Sequence, residues 1–328
     1  MIIAGDIGGT KVNLAYFETE DEGLKVLYEK KYKSADYSGL VPIINDFLKE
    51  CPGRVDAATF GIAGPVYDGK CKTPNLPWIV EETKLEKELE IGHVSMINDL
   101  EANAYGIRTL CSDDVYFLSK TKEPKLANSA IIAAGTGLGE AGLFWNGKEH
   151  IPFATESGHA DYAPRNDEEF DLMMFMQHKH GRISYDRVLS GSGMEEMYAF
   201  FVERHGGPTS PEVEERAKAG EDLAKVITDQ ALERGDPMCC KALELFVKIY
   251  GAEAGNLALH QLARGGLYIG GGIAPKILEE LKKPAFMEAF LDKGRMKELL
   301  ETVPVAVILN DKTALQGAAV HASQRRVK

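Results

Sequence analysis

The chain has 328 residues, 44% hydrophobic and 27% charged, with a formal net charge of −12; this suits one large or two ordinary globular domains and excludes a disordered or fibrous chain. No stretch before the last few residues is dense in Lys or Arg, which argues against nucleic acid as the main ligand, and no apolar run reaches the roughly 18 residues that span a bilayer. The five cysteines (Cys51, Cys71, Cys111, Cys239, Cys240) form no C-x-x-C pair. They predict reduced thiols in a cytoplasmic protein, neither a disulfide framework nor a zinc site, and the start M-I-I-A-G-D has no signal-peptide pattern.

Residues 1–19 read as a strand, a glycine turn and a second strand: Ile2-Ile3-Ala4, then Gly5 to Thr10, then alternating Val12, Leu14 and Tyr16. Lys25 to Lys33 follows as a third strand, and Ser38 caps a helix running to Glu50. Val55 to Ala63 predicts a buried strand stopped by Gly64-Pro65, residues 81–90 a charged helix, and His93 to Asn98 a strand. Asp99 marks the strand's end, where the small-residue helix Leu100 to Ile107 begins. The opening plan then returns: Ile131-Ile132-Ala133-Ala134, the turn Gly135-Thr136-Gly137-Leu138-Gly139, then Ala141, Leu143 and Trp145. This echo predicts two related α/β lobes.

The second half is more helical. Ser210 caps a helix with Pro211 in its first turn, and Leu243, Phe246, Ile249, Tyr250 and Leu257 line one face of a long helix through residue 263. Leu267 to Ile269 is a strand leading into Gly270-Gly271-Gly272, after which Pro275 opens another helix. Val305 to Leu309 is a late strand, and Thr313 to His321 a last helix with Ala314, Gly317, Ala318 and Ala319.

Three glycine turns each follow a strand: Gly8-Gly9-Thr10, Gly135-Thr136-Gly137 and Gly270-Gly271-Gly272. Glycine lets a backbone approach a ligand closely and aim N–H groups at phosphate oxygens. Each turn alone is first a tight turn, but three in this pattern point to phosphate. Neither a P-loop nor a Rossmann G-x-G-x-x-G is present. Asp6, beside the first turn, would repel phosphate unless a cation lay between them, which suggests water-mediated Mg²⁺; the alternative is an Asp bonded to its own turn. Lys11 either adds positive charge or is a solvated strand residue.

Asp99, at a strand's carboxyl end, is a candidate general base for a substrate hydroxyl and equally a helix cap. Glu156, His159 and Asp161 alternate acceptors and donors suited to vicinal hydroxyls, and no cysteine lies near to complete a zinc site. Asp186 is either a hydroxyl acceptor or half of a surface ion pair. Asn75 with Trp78 could form a sugar-facing loop, Trp78 being a core residue first. His178, His180, His205 and His260 have no matching partner and read as structural.

In this order the motifs resemble the bacterial glucokinases, of the actin-like ATPase superfamily that includes hexokinases. G-D-I-G-G-T-K (5–11) is similar to the first phosphate motif, G-T-G-L-G (135–139) to the second, and G-G-L-Y-I-G-G-G-I-A-P (265–275) to the adenosine motif. Ile97-Asn98-Asp99 resembles the catalytic segment and Glu156-Ser157-Gly158-His159 the sugar segment; Leu189 to Gly193 and Asp292 to Arg295 also match. The resemblance implies a two-lobed actin-like fold with a duplicated mixed β-sheet core and a cleft between the lobes. The small lobe would be residues 1–109 plus 312–328, the large lobe 110–311.

It also implies transfer of the γ-phosphoryl of ATP to the 6-hydroxyl of glucose. Asp99 would be the base; Asn75, Asn98, Glu156, His159 and Asp186 would meet the sugar. Asp6, Gly8, Gly9, Thr10, Lys11, Gly135, Thr136, Gly137, Gly271 and Gly272 would hold Mg²⁺-ATP. The family position matching Asp186 is usually Glu. The related repressor–ORF–kinase (ROK) group carries a cysteine-rich zinc motif after its G-H-x-D stretch, whereas here Ala163-Pro164-Arg165-Asn166 follows, so that group fits less well and no zinc is expected. The family often forms homodimers, which is the expectation here. Three rivals remain: a kinase for another hexose, a non-catalytic sugar sensor with a DNA-binding helix pair, and an ATPase that needs no sugar.

Overall fold

The computed structural model describes residues 1–20, 23–73, 76–206 and 209–325. It divides into two compact units. One comprises Met1–Asp114, Ile151–Ala154 and Asn310–Lys328, the other Val115–His150 and Thr155–Leu309.

In the first unit, β1 (Ile2–Ile7) and β2 (Lys11–Glu20) form an antiparallel hairpin, with β3 (Gly23–Lys33) beyond β2. On the other side β1 pairs in parallel with β4 (Ala57–Ile62), and β4 with the strand Val94–Asn98. The apolar run I-I-A-G-D-I is central because both of its faces are covered. Ile3 and Ile7 pack with Leu14, Phe47 and Phe60, while Ile2 and Ala4 pack with Leu315, Ala318 and Ala319 of the C-terminal helix Thr313–Arg325.

That helix crosses the helix Asp99–Gly106 at very short range. A Cβ on Gly317 would overlap the Ala102 carbonyl, and one on Gly106 the Thr313 carbonyl. Small residues at both places let the two backbones touch. His321, on the same helix, lies 3.0 Å from Thr59 Oγ1 and edge-on to Tyr105. Burial pushes its pKa down to about 4, so it stays neutral at ordinary pH.

The second unit repeats the plan. Ser129–Ala134 and Leu138–Trp145 form an antiparallel hairpin across the second glycine turn. Ser129–Ala134 then pairs in parallel with Gly266–Gly270, and that strand in parallel with Val305–Ile308. A hairpin followed by two parallel neighbours is the order seen in the first unit, so the echo in the sequence is a duplicated sheet. The long helix Pro237–His260 buries Leu243, Phe246, Ile249, Tyr250 and Leu257 in this core.

Four local expectations change. The helix expected from Ser38 spans Leu40–Leu48, with Gly39 at its cap and no side-chain cap bond. Ser210 does occupy the cap of Pro211–Lys218, but its side chain accepts no cap bond. Pro275 opens no helix: residues 271–277 form turns, and Leu278–Leu281 is the next helix. The long helix ends at His260 rather than residue 263. Among the described residues no helix is long and apolar enough to cross a membrane.

Candidate active site

The candidate residues form two groups, one in each unit. In the first unit, the β1–β2 turn closes with Gly8 N–H donating to the Lys11 carbonyl at 2.9 Å. Ser34, fully buried just after β3, fixes the turn from beneath. Its hydroxyl donates to the Gly8 carbonyl at 3.0 Å and its N–H to the Thr10 carbonyl at 3.0 Å. Gly8 and Gly9 are half-buried, and Thr10 and Lys11 exposed. Nothing in the sequence around Ser34 distinguishes it from other strand-end serines.

Asp6 accepts from Asn13 Nδ2 at 3.3 Å, and burial raises its carboxyl pKa above the ordinary value. The buried Asn13 Oδ1 beside it has no hydrogen-bond partner. One anionic and one neutral oxygen in a partly dehydrated place suit a hard divalent cation that keeps several waters. Asp6 therefore fits Mg²⁺, with Asn13 as an unforeseen neighbour. Among the described residues no three His, Cys, Asp or Glu side chains gather as a metal cage.

Asn98 and Asp99 stand where Val94–Asn98 meets the following helix. Asn98 is the cap: its Oδ1 accepts from the Leu100 N–H at 2.8 Å and the Glu101 N–H at 3.4 Å, and its Nδ2 donates to the Gly64 carbonyl at 3.2 Å. The capping role weighed for Asp99 thus falls to its neighbour. Asp99, the helix's first residue, also accepts from Leu100 N–H through Oδ1, at 2.9 Å. Gly61 makes room here, since a Cβ would stand 2.8 Å from Ala102 Cβ and 3.8 Å from Asp99 Cα. Burial, then the Asp99 charge, pushes the Cys71 thiol pKa up. Trp78 is a core residue, 3% exposed. Asn75 lies outside the described residues.

In the second unit, the Gly135–Gly137 turn is held on every side. Gly135 N–H donates to the Gly137 carbonyl at 2.8 Å, and Gly191 N–H to the Gly135 carbonyl at 3.0 Å. Just before the turn, the Ala134 N–H donates to the hydroxyl of the buried Tyr250 at 3.2 Å. The third turn rests on the same place: Gly271 has φ +82°, and a Cβ there would overlap the Ala134 carbonyl. Thr136, Gly271 and Gly272 are exposed.

Ser157–His159 is a single 3₁₀ turn pressed onto Leu138, because a Cβ on Gly158 would overlap the Leu138 carbonyl. Glu156 and His159 are exposed beside it. Arg182 holds the His159 carbonyl at 2.6 Å and pairs with Asp161 at 2.6 Å, so Asp161 is engaged. Asp186 is not paired with its neighbour Arg187. Its Oδ1 accepts the Leu138 N–H at 2.7 Å, and its Oδ2 stands 3.9 Å from His159 Nδ1.

Beneath the hairpin lies a buried acid pair that no motif signalled. Glu140 is 1% exposed and Glu253 3%. Burial first, then the adjacent Glu253 charge, raises the Glu140 carboxyl pKa, and Glu253 is raised by burial as well. The folded protein therefore keeps a proton that the unfolded chain releases above the ordinary value of 4.5, and stability falls as pH rises from there. Glu140→Gln removes that term. In thermal melts its Tm should gain on the unsubstituted protein by about 2 °C for each pH unit between 6 and 8. A constant offset across that range would contradict the retained proton.

A duplicated hairpin-and-parallel sheet, each copy with a glycine turn at the carboxyl end of its first strand, is the actin-like ATPase fold that the sugar kinases share. The Glucokinase family profile matches residues 3–325. The glucokinase of Nostoc punctiforme is 42% identical over 99% of both chains. The solved glucokinase of an Antarctic psychrotroph superimposes with a TM-score of 0.85 at 27% identity, covering 98% of each chain. A ROK family glucokinase of Streptomyces griseus, solved with glucose and AMPPNP, shares the fold at 21% identity and a TM-score of 0.66. The chain belongs to the glucokinase family.

Proposed function

We propose that this protein phosphorylates the 6-hydroxyl of glucose with ATP in the cytoplasm, as a homodimer, and that its two units are the two lobes of the enzyme. The observation that carries the reading is the match to glucokinases along the whole chain. Asp99 orients the hydroxyl and accepts its proton late, since phosphoryl transfer has a loose transition state with little early demand for a base. Asn98, with its amide fixed by capping, meets a sugar hydroxyl together with Glu156 and His159, and Asp186 lies beside His159. Asn75 belongs to the same reading.

The phosphates lie on the N–H groups of Gly9, Thr10, Thr136 and Gly137, with Gly8 and Gly135, whose own N–H groups close the two turns, allowing close approach, Lys11 adding charge and Gly271-Gly272 flanking the nucleoside. Asp6 holds Mg²⁺ through water; when bound, that ion neutralises charge on the phosphates. Zinc has no part in this account. The experiment is ADP release with and without sugar, across glucose, mannose, fructose and an N-acetylated amino sugar. Release should require sugar and be fastest with glucose. Preference for another sugar would reassign the substrate, and sugar-independent release would leave an ATPase.

A further inference from the structure

Leu138 ends the second glycine turn, and its peptide is gripped from both sides. Its carbonyl packs against Gly158 of the sugar segment, where a Cβ would overlap it. Its N–H donates to Asp186 Oδ1 at 2.7 Å. The place of that carboxylate is reserved by the neighbouring residue: a Cβ on Gly137 would collide with Asp186 Oδ1. Glycine at 137 thus serves a protein contact as well as the phosphate approach expected of it.

The other end of the carboxylate looks toward the sugar side. Asp186 Oδ2 stands 3.9 Å from His159 Nδ1. The two segments that carry these residues are zipped together. Tyr162 N–H donates to the Ile183 carbonyl at 3.0 Å, Tyr185 N–H to the Ala160 carbonyl at 3.1 Å, and Arg182 to the His159 carbonyl at 2.6 Å. Asp186 lies in the short helix Tyr185–Val188, whose cap Ser184 accepts the Arg187 N–H at 3.3 Å. The carboxylate is therefore fixed by its backbone and leaves only the choice of what its two oxygens touch.

We propose that Asp186 is a positioning residue for the phosphate-binding turn, coupling that turn to the sugar-facing His159 through a single carboxylate. Oδ1 sets the direction of the Leu138 peptide, and with it the N–H groups of Thr136 and Gly137 that meet the nucleotide. Oδ2 keeps the imidazole of His159 in line with the same group. The proposal rests on the glucokinase reading and deepens it, because it gives residue 186 a role toward ATP in addition to the sugar.

Steady-state kinetics of Asp186→Asn and Asp186→Ala, each with both substrates varied, test it. The amide oxygen of Asn can still accept from Leu138, whereas Ala cannot. Asp186→Ala should raise the KM for ATP by about fivefold or more and lower kcat at saturating glucose, while Asp186→Asn should keep the ATP KM within about twofold of the unsubstituted enzyme. Both should raise the KM for glucose. Asp186→Ser, too short to reach the Leu138 N–H, should show the same ATP defect and serves if Asp186→Ala does not fold. An ATP KM unchanged in Asp186→Ala, with only the glucose KM raised, would make residue 186 a plain sugar contact and overturn the proposal. Equal ATP defects in the Asn and Ala variants would overturn it too. Absence of glucose-dependent turnover in the unsubstituted protein would instead undo the functional reading beneath it.

Discussion

Asp99→Asn should lower kcat with glucose by about 10²-fold or more while Tm and the KM for glucose change little. The separation is clean because the helix cap belongs to Asn98, whose Oδ1 holds Leu100 N–H at 2.8 Å and Glu101 N–H at 3.4 Å. The bond that the Asp99 side chain makes to this helix, Oδ1 accepting from Leu100 N–H at 2.9 Å, can also be made by an Asn oxygen. What Asn cannot do is accept the proton of a sugar hydroxyl as the phosphoryl group departs. Turnover within a few-fold of the unsubstituted protein would leave Asp99 a purely structural residue at a helix start, and the account would need another base.

The second large effect lies away from the chemistry. Gly317→Ala should destabilise the protein by about 3 kcal/mol, measured by chemical denaturation. In an isolated helix the same change would be favourable by about 1 kcal/mol, because Ala is the better helix former. Here the sign reverses. The new methyl would occupy the place of the Ala102 carbonyl, and the alternative is for the two helices to move apart. One of the two helices starts at Asp99, so kcat should fall along with stability, misplacement of about 1 Å being enough to cost a large factor. A more stable, fully active Gly317→Ala protein would show that this helix contact has slack.

The sheet plan was legible because it is written twice. An apolar run, a glycine turn and an alternating strand at Ile2 to Tyr16 return at Ile131 to Trp145, and both copies fold as antiparallel hairpins with two parallel strands beside them. Periodicity carries such information well, since it depends on burial alone. Helix starts were harder. Ser38 and Pro275 have the right chemistry for a start, yet the chain begins its helices at Leu40 and Leu278, where packing overrides a local preference worth about 1 kcal/mol.

Within the site, the glycine turns, Asp6, Asn98, Asp99, Glu156 and His159 are visible in the sequence because their types and spacing are unusual. The residues that hold them are not. Ser34, Tyr250 and Glu140 act through contacts made from distant parts of the chain: Ser34 to Gly8, Tyr250 to Ala134, and Glu140 beside Glu253. No local pattern records a partner more than 20 residues away. Asp186 shows the limit most plainly. As a letter it allows a sugar contact or a surface ion pair, and its strongest bond is to a backbone N–H of the phosphate turn.

Phosphorus-31 NMR of the protein with ATP, Mg²⁺ and glucose tests the central claim most directly. The account predicts that the γ-phosphate signal is replaced, mole for mole with ADP, by the phosphomonoester of glucose 6-phosphate, and that ATP persists when glucose is left out. Inorganic phosphate as the main product, or a phosphomonoester on any hydroxyl other than the sixth, would contradict it.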